Sequence, residues 1–145
     1  MLRIFILTSF LVIFLTGCKE ENKEKKANVI NEKSSETALT SVQIIDSSYD
    51  FGQVTEGEIV EFNFRFKNTG SVPLVVTNVA ASCGCTVPEK PEQPIRPGET
   101  GYIKAKFDSD KRPGEALKTV TVTSNASPSF PELILKGKVL PKKAI

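Results

Sequence analysis

The sequence predicts an all-β domain, an antiparallel two-sheet sandwich, carried behind an apolar leader and a charged tether. Three observations predict it. From residue 42 onward apolar and polar residues alternate with a period of two. Glycine and proline punctuate that alternation at short intervals, and no stretch after the tether has the helical period. Short strands joined by Gly/Pro turns, with no helix to cover a sheet, bury their apolar faces by packing sheet on sheet.

The elements follow in order. Arg3 gives a positive start, and residues 4–15 form an apolar run broken only by Thr8 and Ser9. A helix needs about 20 apolar residues to span a bilayer core, so this run is too short to be an anchor. The charged start, apolar middle and small residues at the end are those of a secretory signal peptide over residues 1–17. Its ending, Leu15-Thr16-Gly17-Cys18, resembles the lipobox of bacterial lipoproteins. That resemblance implies cleavage before Cys18 and acyl chains, palmitate among them, on its amine and thiol. Each buried methylene adds about 0.8 kcal/mol, so several chains hold a protein far more firmly than one.

Residues 18–41 are rich in Lys, Glu, Ser and Asn and hold no aromatic side chain. They lack the apolar content to offset ordering costs of about 1–2 kcal/mol per residue, and are expected to be a disordered tether. Cys18-Lys19-Glu20-Glu21 resembles the lysine-plus-two-acids export signal of surface lipoproteins in the Bacteroidetes. The expected location is the bacterial cell envelope, lipid-anchored through Cys18 at the outer membrane, facing the periplasm or displayed on the surface.

The domain is expected over residues 42–140. Val60, Phe62, Phe64 and Phe66 alternate with Glu61, Asn63, Arg65 and Lys67, a strand with one aromatic and one solvated face. Asn68-Thr69-Gly70-Ser71 is a turn in which Gly70 suits a positive φ. After Pro73 comes a second apolar run, residues 74–79. Ile103, Ala105 and Phe107 alternate with Tyr102, Lys104 and Lys106; Val120 and Val122 alternate with Thr119, Thr121 and Thr123. Leu133, Leu135, Gly137 and Val139 alternate with Ile134, Lys136 and Lys138 to close the domain. Opposed sheets would bury Phe62, Phe64, Phe66, Phe107, Val120, Val122, Leu133 and Leu135 in a layer about 10 Å thick. A domain of about 100 residues has the size of an immunoglobulin-like sandwich. Residues 141–145 are expected to be a tail.

Several short motifs come in a specific order. They are Tyr49-Asp50-Phe51-Gly52-Gln53-Val54, Gly57-Glu58, Phe66-Lys67-Asn68-Thr69-Gly70 and Ser82-Cys83-Gly84-Cys85-Thr86-Val87-Pro88. Pro97-Gly98-Glu99, Phe107-Asp108-Ser109, Arg112-Pro113-Gly114 and Thr123-Ser124-Asn125 follow. In that order and spacing the chain resembles the bacterial domain-of-unknown-function family 1573. The resemblance implies an immunoglobulin-like domain related to those of major sperm protein and the hydin-type repeats, most of which are binding or scaffolding modules. It implies no biochemical activity.

Cys83 and Cys85 are the only cysteines in the part of the chain expected to fold. Export places them where thiols oxidise. Four readings stand open. A local Cys83–Cys85 disulfide stiffens the loop, with Gly84 supplying a tight bend. A redox-active pair would use Lys90 or Arg112 to favour a thiolate. Two thiolates suffice for Cu(I), making Cys83 and Cys85 an alternative metal site. Otherwise the thiols are free or pair with another molecule.

Residues 88–98 hold four prolines, among them Pro88 and Pro91 beside Lys90, and read as a stiff connection or a preordered edge that meets a partner. Lys111-Arg112-Pro113-Gly114 reads as a turn whose two cations can face an acidic partner. Tyr49 and Asp50 read as packing and a turn at the start of a strand. There is no histidine anywhere, which removes the commonest acid–base catalyst and metal ligand. P-loop, dinucleotide and nucleophile-elbow motifs are missing too, so no enzyme activity and no cofactor is expected. A formal net charge of +2 gives no electrostatic case for nucleic acid. The expected partners are the membrane, through acylated Cys18, and a protein or glycan of the envelope.

Overall fold

The computed structural model describes residues 38–143; the leader, Cys18 and the tether up to residue 37 lie outside the described residues. Eight strands follow: β1 (Val42–Ile44), β2 (Ser48–Thr55), β3 (Ile59–Asn68), β4 (Val76–Ala81), β5 (Thr86–Glu89), β6 (Thr100–Asp108), β7 (Gly114–Ser124) and β8 (Leu133–Leu140). They form two four-stranded sheets, ordered β1-β3-β6-β5 and β2-β8-β7-β4. This is the all-β, immunoglobulin-like sandwich that the alternating pattern predicts. Among the described residues, no helix is long and apolar enough to cross a membrane.

The sheets pack because each strand turns one side inward. In the central pair β3 and β6, Phe64 lies opposite Ile103 and Phe66 opposite Gly101, so the bulkiest ring meets the smallest partner. Phe64, Phe66, Ile103, Ala105 and Phe107 are fully buried against Val120, Leu133, Leu135 and Val139 of the other sheet. Phe62 departs from the expected core: it is half-buried at the rim, where its ring stacks on Tyr49 with centroids 4.0 Å apart.

One ladder departs from the antiparallel expectation. β2 pairs with β8 in parallel: after β1 the chain passes from the edge of one sheet to the edge of the other, where it lies beside β8. A register shift between Asp50 and Gln53 bends β2 there, and Gly52 N–H donates to Asp50 Oδ1 at 2.9 Å.

Two local expectations are corrected. Composition assigns Thr40 to the tether, yet it is buried and forms a parallel bridge with Ala126. The folded domain thus includes residues 40–41, since backbone pairing and side-chain bonds outweigh a polar local sequence. Gly70 is required for space and not for a positive φ: a Cβ there would collide with the Thr40 side chain and the Ser41 backbone nitrogen.

Candidate functional site

β4 and β5 are the edge strands of the two sheets on the same side of the sandwich. The chain crosses between them through residues 82–85, which hold the cysteines. Cys83 and Cys85 form a disulfide, with an S–S distance of 2.01 Å and Cα atoms 5.2 Å apart. In this oxidised form neither sulfur is a thiolate that can ligate Cu(I). Among the described residues, no three His, Cys, Asp or Glu side chains gather to hold a metal ion. Gly84 lies between the cysteines without a positive φ and with open space around the position of a Cβ, so the bend does not need glycine.

The crossing is fastened on both sides by bonds that do not involve sulfur. Ser82 N–H donates to Thr119 O at 2.9 Å, and Thr119 N–H donates to Ser82 Oγ at 3.1 Å, tying the crossing to β7. On the other side Asp108 N–H donates to Cys85 O at 2.9 Å, and Thr86 N–H donates to Cys83 O at 3.2 Å. The sulfurs differ in exposure: Cys85 is buried at 7 %, whereas Cys83 is half-buried at the rim. Cys83 Sγ lies 3.7 Å from the hydroxyl of buried Thr86.

The remaining candidates divide between the two ends of this flank. Pro88 sits inside β5, opposite Ala105, where an edge strand tolerates a residue with no N–H to donate. Lys90 and Pro91 follow the far end of β5, about 15 Å of strand from Cys85. There they line a shallow pocket with Val75, Val76, Glu92, Gln93 and Pro94. Lys90 is therefore not the cation beside the cysteines. Further on, Ile95 exchanges both backbone bonds with Leu74, at 2.8 and 2.9 Å.

Lys111 and Arg112 lie at the cysteine end, in the β6–β7 turn that begins right after Asp108. Lys111 has φ 55°, and Arg112 N–H donates to Ser109 O. Fully buried Ser109 holds this turn to the β2–β3 turn, donating from Oγ to Glu58 O at 2.7 Å and accepting from Gly57 N–H at 3.0 Å.

Sequence reasoning missed Lys118. In β7 it falls two residues before buried Val120, on the same inward side, and its Nζ lies 5.5 Å from the Phe107 ring centroid. The signal was present: Val120 and Val122 set the inward parity, and counting back along it lands on Lys118. The apolar run over residues 74–79 marked β4 as a segment, but its position at a sheet edge was not read from the sequence. Its sequence, VTNVAA, carries no charge. The other edges are short (β1, three residues), bulged (β2) or interrupted by Pro88 (β5), and β4 has a register shift between Val76 and Asn78 with regular pairing from Asn78 to Ala81. These are devices that blunt an edge against pairing.

The family described as "Protein of unknown function (DUF1573)" matches residues 42–139. The chain belongs to this family. No curated protein matches it. Among solved structures, the fold is similar to a protein of unknown function from Porphyromonas gingivalis W83, at 17% identity and a TM-score of 0.56, over 72% of this chain and 48% of that one. The DUF1573 chain thus spans about half the length of that relative. It is also similar to the ASH/PapD-like domain 7 of human CEP192, at 12% identity and a TM-score of 0.54, over 72% of this chain and 89% of that domain. The secreted serine protease VesC from Vibrio cholerae shares 12% identity at a TM-score of 0.50, over 77% of this chain and 25% of that one. At these identities the likeness is one of fold.

Proposed function

We propose that this DUF1573 protein is a non-enzymatic binding module of the bacterial cell envelope, anchored by lipid at Cys18, that docks a protein partner along the β4–β5 flank. The observation that carries the reading is the uncharged edge of β4, which is in regular register from Asn78 to Ala81 beyond a shift between Val76 and Asn78. Its six residues are uncharged, and Thr77, Asn78 and Ala80 are exposed. Ser82 directs its N–H toward β7, so by alternation Val79 and Ala81 direct their backbone groups away from it, toward an incoming strand. The Leu74–Ile95 bridge closes one end of this edge and the disulfide crossing closes the other. Added strands gain affinity from main-chain bonds and specificity from neighbouring pockets, and the pocket at Val76 and Pro91 lies beside this edge. The resemblance of Leu15-Thr16-Gly17-Cys18 to a lipobox and the charged sequence of residues 18–41 support placement at the outer membrane.

Two experiments test the reading. A photo-crosslinking residue at position 80 in living cells is expected to capture a discrete protein, and Thr77→Lys, which puts a charge on the same edge, is expected to abolish the capture. Capture that persists in Thr77→Lys, or a glycan in place of a protein, contradicts strand docking. Metabolic labelling with a palmitate analogue is expected to mark the wild type but not Cys18→Ala; equal labelling removes the anchor.

A further inference from the structure

The geometry points to Cys83–Cys85 as a thiol–disulfide exchange site: Cys83 is the sulfur that attacks and is attacked, Cys85 resolves, and Lys118 is the cation that favours the Cys83 thiolate. The site is independent of the docking edge and stands whether or not β4 accepts a strand.

The first argument is that the bridge is redundant as a staple. It spans a single intervening residue, so it removes little loop-closure entropy from the unfolded chain. The segment it closes is already held by Ser82 and Thr119 on one side and by Cys85 and Asp108 on the other. Reduction opens a small ring and leaves those backbone bonds in place. A cross-link whose loss costs the fold little is free to cycle.

The second argument is the asymmetry of the pair. Exchange requires a thiolate to reach one sulfur and expel the other, and access decides which is reached. Cys83, half-buried at the rim, is reachable; Cys85, exposed by only 7 %, is not.

The third is what surrounds Cys83. The buried Thr86 hydroxyl, 3.7 Å from Cys83 Sγ, can donate to a thiolate there. The β4–β7 register pairs Ala80 with Thr121 and Ala81 with Val120, and the two Ser82–Thr119 bonds carry it one step further. Extended by one more position, that register brings Cys83, in the bend after β4, toward Lys118, which lies on the inward side of β7. Lys118 forms no ion pair among the described residues; its ammonium sits over the Phe107 ring instead. A cation held near a thiol lowers its pKa and raises its thiolate fraction.

The co-reactant is a dithiol. One of its sulfurs, as thiolate, attacks Cys83 Sγ; the Cys83–Cys85 bond breaks, and Cys85 leaves with the electron pair and takes up a proton. The second sulfur of the dithiol then attacks the mixed disulfide and releases Cys83. The dithiol becomes a disulfide, losing two electrons and two protons, and the domain gains both. The reverse sequence begins with the Cys83 thiolate and ends when Cys85 displaces the partner.

The test uses the full chain with Cys18→Ala, so that only two cysteines remain. In native buffer the bridge is expected to open with dithiothreitol, seen by acid quench, alkylation and mass, while the far-UV circular dichroism is unchanged. A bridge that opens only in denaturant overturns the proposal. With oxidised glutathione, Cys83 in the Cys85→Ser variant is expected to form a mixed disulfide about tenfold faster than Cys85 in Cys83→Ser; equal rates overturn the assignment. In the Cys85→Ser background, Lys118→Met is expected to raise the pH midpoint of Cys83 alkylation, and Lys118→Arg to restore it. An unmoved midpoint overturns the role of Lys118. If single-cysteine variants fold poorly, the dithiothreitol result on the intact pair still decides.

Discussion

The hydroxyl of Thr40 donates to the carboxamide oxygen of Asn68 across 2.9 Å, joining the start of the domain to the end of β3. Asn68 is fully buried and its side chain is fully engaged. Its amide donates to Val72 O at 2.8 Å and Ile95 O at 2.9 Å, and Oδ1 also accepts from Gly70 N–H. Asn68→Ala removes four hydrogen bonds at once, each worth about 0.5–1.5 kcal/mol net, while Ile95 O keeps its bond from Leu74 N–H and Val72 O its bond from the Thr40 hydroxyl. The expected loss is about 3 kcal/mol in urea denaturation, with Thr40→Val losing about 1 kcal/mol. A loss for Asn68→Ala below that of Thr40→Val would show that Asn68 is not the hub of this end.

Two glycines offer an internal control. A Cβ at Gly137 would drive into the ring of Phe51, which packs against the core. Gly137→Ala is therefore expected to displace that ring and cost about 1–3 kcal/mol, as overpacking does. At Gly84 a Cβ meets open space and φ is not positive, so Gly84→Ala is expected to be within about 0.5 kcal/mol of wild type. Thermal melts of the two variants check both; a reversed order would mean the disulfide crossing is tighter than its surroundings.

Tyr49 of β2 and Phe62 of β3 stack with ring planes 8° apart, and Phe62 meets Phe64 edge-on at 5.0 Å. This aromatic row closes the side of the sandwich opposite the docking flank. Tyr49→Ala loses ring burial as well as the pair term of about 0.5–1.5 kcal/mol, whereas Tyr49→Phe keeps the stack. Chemical denaturation is expected to separate the two variants by about 2 kcal/mol, Tyr49→Ala being the weaker.

The alternating runs made β3, β6, β7 and β8 readable, because period-two burial on one face leaves its mark residue by residue. Thr40, Asn68 and Asn125 left no such mark. Each is a polar residue buried through long-range bonds, as when Asn125 Nδ2 reaches Ala38 O and Pro73 O, and local composition assigns such residues to turns or tethers. The cysteine pair was legible as chemistry from its spacing alone. Lys118 could be read as an inward cation from the parity of Val120 and Val122, but not as one near the cysteine crossing, since that follows from β4–β7 pairing between segments far apart in sequence. The parallel β2–β8 ladder was hidden for the same reason: strand direction is decided by which sheet β2 joins, and no residue in β2 records that choice.

Asp46 accepts from Arg65 Nε at 2.7 Å and from Nη2 at 3.1 Å, and also from the Arg65 backbone N–H at 3.1 Å. These bonds, the side-chain ones foremost, hold the Asp46 carboxyl below its ordinary range, while the same pairing raises Arg65. A carboxyl that titrates lower when folded stabilises the fold fully above its unfolded value, about 3.9, and loses that contribution as pH falls through the folded value. Arg65 stays charged throughout, so the acid limb belongs to Asp46 alone. Arg65 is half-exposed, and salt screens the pair. Asp46→Asn is therefore expected to lower the urea midpoint at about pH 7, with a gap from wild type that narrows below about pH 3.5. The gap should also shrink in about 1 M salt at neutral pH. A gap that persists undiminished in acid would assign the effect of the substitution to the geometry of the turn and not to the charge on Asp46.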